Sequence, residues 1–438
     1  MTARERTGVL PTLPPELWEH IFDFATCVPG TLIPDIYEHS DIIGPLYNRR
    51  FHGALRAARV TKRYLVRVCK QWWHLARRYL YQAIYIGRTR SVLSLCSTLR
   101  KYATGDGTVP GVYSLGSWTQ RLDLAIRDRC IDFTVECECL AEIIRSLPNL
   151  AIVSFAITSS DYDALVPSSI LDALRCNASS LRVLDWSTDR LAAFIHQLEI
   201  FLLKEVPHLR ILRCSRLCCN DGFTHTLTSV HTLVVQKLHD RRLTFDDAQE
   251  APTNIRELTF LVDRSNHDFW RQFTDHYGTR LTSVHLRQVD FDPWALNGFL
   301  SMIRESCPNL RRVTLSVESF SFIYLDGFTL PPVQYLGIAA EAHQQNRSDY
   351  ECLFAILASV KDTVPTLRVV QFIDPRNVNS ILTRHWKVAT RALIQQLVGS
   401  AFRVECYDGM LLSGWSSGTS LTPFKYVMAE KLQIMGKL

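Results

Sequence analysis

The residue most suited to nucleophilic chemistry in this chain is Cys69, which lies between Arg67 and Lys70. Neighbouring cations favour the thiolate, the reactive form of cysteine. The same cysteine also lies beside a stripe of apolar residues, where a buried and inert thiol is the usual outcome. Cys69 alone therefore does not identify an active site.

Other residue types that could perform chemistry are scattered. The chain has no glycine-rich phosphate loop ending in Gly-Lys-Ser/Thr, and no two histidines lie four residues apart around an acid. Histidines that are relatively close in sequence, such as His225 and His231, are more typical of turns or surfaces than of metal sites. We predict a non-catalytic protein with no catalytic residues, no cofactor and no metal.

The thirteen cysteines also fit no metal or disulfide pattern. Neither Cys137-x-Cys139 nor Cys218-Cys219 has a partner pair at zinc-finger distance, and Cys-x-x-Cys does not occur. The first residues lack the apolar core of a signal peptide, and no apolar run is long enough to span a membrane. We expect free thiols, a cytoplasmic or nuclear location and no membrane contact.

Charge is distributed unevenly along the chain. The formal net charge is +6, yet residues 42–105 contain fourteen lysines and arginines and no acidic residue. Such a block suits an acidic protein partner or the phosphates of a nucleic acid, and it is also typical of a solvated basic face. The sequence leaves these three alternatives open.

Two helices are predicted beside this basic block. In residues 13–24 (LPPELWEHIFDF), Pro15 suits a first helical position, and the apolar residues fall on one side of the helix. A second stripe, predicted to lie on one helix and mostly inside the domain, consists of Leu65, Val68, Trp72, Leu75 and Tyr79. Residues 28–59 are expected to form an extra loop and a short helix on the face away from the first helix.

These segments resemble an F-box. Residues 13–22 (LPPELWEHIF) look like its opening, residues 68–72 (VCKQW) are similar to its second signature, and residues 80–86 (LYQAIYI) resemble its exit into the following domain. The resemblance covers residues 10–86, with an insertion at about 28–59 where the family has a short turn. It implies that the chain docks the Skp adaptor of a cullin–RING ubiquitin ligase through Leu13, Pro14, Leu17, Ile21, Phe22, Val68, Cys69 and Trp72.

The rest of the chain repeats an apolar-x-x-apolar-x-apolar phrase. Its nine instances begin at Leu150, Leu181, Leu209, Val230, Ile255, Leu281, Leu310, Val333 and Leu367. Their mean spacing is about 27 residues, and helical patterns lie between them, several ending in a proline turn. The pattern resembles leucine-rich repeats, although their consensus asparagine is mostly missing.

The predicted fold is therefore α/β. A small helical F-box-like domain precedes an irregular solenoid of parallel strands, residues 87–408, with helices on its convex side. Residues 407–438 are expected to form a last strand, a loop rich in glycine and serine and a short helix, and residues 409–438 are expected to be a cap or tail of the solenoid. A doubly wound α/β domain is the alternative fold.

The resemblance implies a substrate-recognition adaptor of a Skp–cullin–F-box ubiquitin ligase. The repeats would select an unknown protein substrate, and the chain would be monomeric apart from the complex. The alternative is a nucleic-acid-binding or scaffold protein that uses the basic segment 42–105. Nucleic acid is the less favoured of the two, because the aromatic residues of that segment fall on or beside the predicted core stripe.

Overall fold

The structure is a computed structural model of the 438-residue chain. It describes residues 13–35, 49–103, 115–126, 128, 132–155, 168–186, 205–217, 228–238, 254–288, 293–323, 328–340, 345–383, 397, 402–407 and 409–412. Within these ranges the chain forms three N-terminal helices, which we call the helical unit, and one parallel sheet with its own helices.

The helical unit contains α1 (Pro15–Thr26), α2 (Arg49–Val68) and α3 (Lys70–Gln82). Proline occupies the first position of α1, where its missing N–H costs nothing. Three predictions about this region are wrong. The short helix expected within residues 28–59 continues to Val68, and it packs against α1 instead of lying on the face away from it. The stripe from Leu65 to Tyr79 is divided between two helices at Cys69.

A small separate core holds the helical unit together. Its buried members are Trp18, Phe22, Ala76 and Tyr79. The rings of Phe22 and Trp72 lie 4.9 Å apart, edge to face, which adds to the free energy from area burial. The Tyr79 hydroxyl donates a hydrogen bond to the Glu19 carbonyl at 2.9 Å and so ties α3 to α1.

Beyond α3 the described residues form a twelve-stranded parallel sheet whose strands follow one another in chain order. The strands are β1 (Ala83–Ile86), β2 (Arg121–Leu124), β3 (Ile152–Phe155), β4 (Val183–Trp186), β5 (Ile211–Leu217), β6 (Thr232–Leu238), β7 (Glu257–Val262), β8 (Ser283–Gln288), β9 (Arg312–Val317), β10 (Tyr335–Ala340), β11 (Val369–Phe372) and β12 (Arg403–Glu405). A doubly wound sheet reverses its strand order, whereas this one never does. The arrangement is therefore solenoid-like.

Helices lie in most of the described connections between strands, whereas the described part of the connection from β9 to β10 has only a 3-10 turn. The helices are α4 (Thr89–Ala103), α5 (Phe133–Arg145), α6 (Ser168–Arg175), α7 (His267–Tyr277), α8 (Pro293–Ser306), α9 (Arg347–Thr363) and α10 (Pro375–Thr383). Four short 3-10 turns accompany them at Leu115–Trp118, Arg264–Asn266, Gly278–Arg280 and Phe320–Phe322. Two of the helical patterns that the sequence places between the phrases, at 191–204 and 388–398, lie outside the described residues, apart from position 397.

The repeated phrase supplies the core of the sheet. Its second apolar position forms one in-register row across the strands: Leu258, for example, lies between Leu233 and Val284 and is fully buried with both. Its third position forms a parallel row that includes Phe260. Helix residues such as Leu140 belong to the same continuous cluster. Each repeat thus buries its apolar face against the next.

The last strand among the described residues is Arg403–Glu405, which lies before the segment 407–438 where a last strand was expected. Only positions 409–412 of the expected cap are described, and the segment from 413 to 438 lies outside the described residues.

The segment after α1 joins the helical unit to the sheet. Gly30, with φ 80°, makes a turn that only glycine adopts readily. The Thr31 carbonyl then accepts a hydrogen bond from Arg121 Nη1 at 3.1 Å, and the same arginine forms a buried ion pair with Asp123 at 2.8 Å. The start of the predicted insertion therefore packs on the sheet.

Candidate docking surface

An apolar stripe is exposed on α1. Leu17, Ile21 and Phe24 are spaced four and three residues apart and so share one side of the helix. Their exposed fractions are 47%, 45% and 87%. The large aromatic residues Trp18 and Phe22 take the opposite side and fill the core. An exposed apolar stripe of this size is unusual unless a partner covers it.

A second exposed stripe lies on α2, which packs against α1. It consists of Val60, Tyr64 and Val68, each four residues from the next. The exposed cations Arg56, Arg63 and Arg67 are seven and four residues apart and form a basic stripe beside it. We refer to the exposed stripes of α1 and α2 together as the docking surface.

The structure separates the eight predicted adaptor-binding residues into two groups. Pro14, Leu17, Ile21 and Val68 are exposed, whereas Leu13, Cys69 and Trp72 are partly buried and Phe22 is completely buried. Phe22 therefore cannot contact a partner in this conformation, and its predicted role at the surface is wrong. The expectation that Val68 packs mostly inside is also wrong, since its exposed fraction is 53%.

Sequence reasoning missed part of this surface. Phe24 and Tyr64 are among the most exposed aromatic side chains in the described ranges, yet neither was predicted to contact the adaptor. The signal was present for Phe24, because it continues the Leu17–Ile21 row by a further turn. It was missed because Trp18 and Phe22 form an equally apolar row on the same helix.

Several cations of the basic block are engaged within the chain. Arg78 forms an ion pair with Glu19 at 3.0 Å, and the guanidinium groups of Arg77 and Arg59 lie over the rings of Trp118 and Tyr85. Burial lowers the pKa of Lys62, against the raising effect of Cys27 and Asp23. These four side chains are therefore less free to contact an external phosphate.

The aromatic residues of the basic block offer little surface for base stacking. Tyr64 is exposed, but Trp72, Trp73 and Tyr81 are partly buried and Tyr79 is buried. Stacking on single-stranded nucleic acid requires accessible ring faces. The geometry therefore gives more surface to a protein partner than to a nucleic acid.

Cys69 has a structural position in the described conformation. It is the residue before α3, and its Sγ accepts a hydrogen bond from the Trp72 N–H at 3.5 Å. It thereby satisfies one of the unpaired donors at the start of the helix. This contact gives Cys69 a role in folding that does not depend on its reactivity.

The described part of the chain contains no cluster of three or more histidine, cysteine or acidic residues that could hold a metal ion. In the same ranges, no helix is both long and apolar enough to cross a bilayer. A Gly-x-Ser-x-Gly pattern at 414–418, which the sequence reasoning passed over, lies outside the described residues. A nucleophile elbow requires such a serine on a strand-to-helix turn.

The face of the sheet opposite the apolar rows carries buried polar residues. His285 Nε2 and Ser316 Oγ lie 2.7 Å apart on β8 and β9. The hydroxyls of Ser154 and Thr259 are buried and have no hydrogen-bond partner among the described residues. Sequence reasoning missed this polar row, because the alternating positions of each phrase vary in residue type.

No known protein family matches the chain, and no curated protein is significantly similar to it.

Proposed function

We propose that the chain is the substrate-recognition subunit of a Skp–cullin–F-box type ubiquitin ligase, a non-catalytic adaptor of the cytosol or nucleus. The docking surface contacts the Skp-family adaptor, and the sheet holds a protein substrate. The single observation that carries this proposal is the exposed row of Leu17 and Ile21 on a helix whose other side is sealed by its own small core.

The position of this row supports docking and not packing within the chain. The helical unit has its own core, separate from the continuous core of the sheet. Because Trp18 and Phe22 already bury the inner side of α1, the outer side has no structural task in the described conformation. Covering a half-exposed leucine or isoleucine is worth about 1 kcal/mol each at roughly 25 cal/mol per Å².

Exposed cations beside the docking surface would orient the adaptor as it binds. Arg56, Arg63 and Arg67 lie beside the apolar stripe of α2 and are exposed. The resemblance to an F-box implies an acidic adaptor, so complementary charge would raise the association rate and orient docking. The ligase would gain rate by holding its substrate at high local concentration, with no chemistry performed by this chain.

The experiment is recovery of a Skp-family adaptor by the purified chain, compared with the variant Leu17→Asp/Ile21→Asp. We expect the variant to lose about a hundredfold in adaptor affinity, because two carboxylates would be buried against an apolar partner. Titration of the purified adaptor, followed by calorimetry, measures the loss.

A matched control is Leu93→Asp/Val135→Asp, which places the same charges on two exposed apolar residues of α4 and α5. The control should bind adaptor like the unmodified chain. Equal adaptor affinity for the Leu17/Ile21 variant and the unmodified chain, or no binding by the unmodified chain, would exclude the proposed function.

A further inference from the structure

A row of arginines runs along the edge of the sheet where its strands begin. Main-chain hydrogen bonds fix the register of this row from strand to strand. Arg210 accepts from the His231 N–H, Arg256 accepts from Thr282, Arg311 donates to Thr282 and Arg368 donates to Gln334. We call Arg210, Arg256, Arg311 and Arg368 the arginine row.

The spacing of the row is regular. Each arginine precedes a strand, and exactly one strand intervenes between it and the next arginine, since the four lie before β5, β7, β9 and β11. Neighbouring strands are about 4.7–4.9 Å apart, so the backbone positions of the row are about 9–10 Å apart and span roughly 29 Å. All four residues are exposed.

One member of the row already binds a carboxylate. Arg210 Nη1 lies 3.2 Å from Asp35 Oδ1, on the segment that follows α1. The other three, Arg256, Arg311 and Arg368, form no ion pair with the described residues. The pair of Arg210 with Asp35 is therefore an example of the carboxylate contact that the other three arginines of the row can make.

An acidic polypeptide segment fits this row better than a nucleic acid does. An extended polyproline-II-like chain rises about 3.1 Å per residue, so acidic residues at every third position are about 9.3 Å apart. Duplex DNA carries a charge every 1.7 Å or so and requires a broad basic surface. Outside residues 1–105 the chain has 33 basic and 36 acidic residues, so its net charge does not attract such a polyanion.

We propose that the arginine row binds an extended acidic segment of a protein partner, with carboxylates on Arg256, Arg311 and Arg368. Taking that partner to be a ligase substrate rests on the proposed function. Peptide binding is measured on this chain alone, so its failure and a failure of adaptor docking are distinguishable.

The probe is a fluorescent peptide with glutamate at every third position and neutral residues between, compared with the same peptide carrying glutamine. We expect the purified chain to bind the glutamate peptide and to lose about tenfold in affinity in the variant Arg256→Glu/Arg311→Glu/Arg368→Glu. Binding should weaken as the ionic strength approaches 1 M, where the screening length is only about 3 Å.

The matched control is Arg90→Glu/Arg271→Glu/Arg304→Glu, which makes the same change in net charge on exposed helix residues. Circular dichroism checks that both variants fold. Equal loss in the two variants, or equal binding of the glutamate and glutamine peptides, would overturn the proposal. Tighter binding of random duplex DNA than of the glutamate peptide, lost in the arginine-row variant, would also overturn it and assign the row to nucleic acid.

Discussion

The sheet buries its apolar residues more completely than the helical unit does. In the sheet, each apolar row continues from strand to strand, so residues such as Leu258 have neighbours on both sides and no exposure. The core of the helical unit has four buried members, and Leu17, Ile21 and Phe24 lie outside it and are exposed. In the sheet each repeat covers the apolar residues of its neighbours, whereas the three helices leave part of their apolar surface exposed.

The helical unit and the sheet also differ in the kind of side chain that they expose. Apolar exposure is concentrated in the helical unit, and the arginine row lies along the sheet. Apolar surfaces contribute affinity through burial, while exposed charges mainly affect orientation and association rate. A tight contact through the helical unit and a weaker, salt-sensitive contact through the sheet would follow from this division.

The largest expected effect comes from removing an equivalent ring from each core. Phe260→Ala removes a side chain stacked 4.4 Å from Trp270 in the continuous core of the sheet. Phe22→Ala removes a buried ring from the small core of the helical unit. Each should lower the free energy of unfolding by about 3–5 kcal/mol. Because the two cores are separate, hydrogen exchange should show Phe22→Ala opening α1–α3 and leaving β6–β9 protected.

Phe24→Ala is the control for this pair, since Phe24 lies on α1 with 87% of its surface exposed. It should change stability by no more than about 0.5 kcal/mol. Loss of protection throughout the sheet in Phe22→Ala would contradict the separation of the two cores.

The next effect tests the junction between the two regions. Arg121→Met leaves Asp123 buried without its ion-pair partner at 2.8 Å and removes the hydrogen bond to Thr31. Breaking one side of a buried ion pair costs about 3–5 kcal/mol, because the remaining charge is left buried without a partner. Chemical denaturation of the variant measures the loss.

The double variant Arg121→Met/Asp123→Leu removes both charges and should recover most of that stability. If the double variant is as unstable as Arg121→Met, the loss comes from the contact with Thr31 and not from the unpaired carboxylate. That outcome would make the segment after α1 the main connection between the helical unit and the sheet.

The repeated phrase predicted nine strands because its three apolar positions are all buried, so periodicity alone carries the signal. The same reasoning failed at Cys69. Apolar spacing continues from Val68 to Trp72, but the Cys69 backbone is extended, with φ −160° and ψ 172°, and the helix ends there. A helix break that preserves the spacing on both sides leaves no trace in the pattern.

Phe22 shows a second limit. Leu17 and Ile21 form one apolar row of α1 and Trp18 and Phe22 form another, and the sequence does not say which row faces inward. The structure buries the aromatic row, which removes more apolar area from water. Which row remains for a partner depends on α3, whose Trp72 and Tyr79 receive these rings, and not on α1 itself.

The smallest expected effect concerns the turns that join the repeats of the sheet. The side-chain amides of Asn149, Asn254 and Asn309 donate to carbonyls of the preceding turn, those of Ser117, Thr228 and Thr279, at 2.6–2.7 Å. Asn309→Ala should therefore cost about 1 kcal/mol, the usual value of one such bond. Thermal denaturation measures the loss.

Gln334→Ala, at an exposed turn position with no side-chain hydrogen bond among the described residues, should cost less than half as much. Because the three asparagines lie in different turns, the losses in Asn149→Ala, Asn254→Ala and Asn309→Ala should add in the triple variant. A triple loss well above the sum would mean that the turns stabilise one another across several repeats. In that case coupling between turns, as well as the continuous core, would distinguish the sheet from the helical unit.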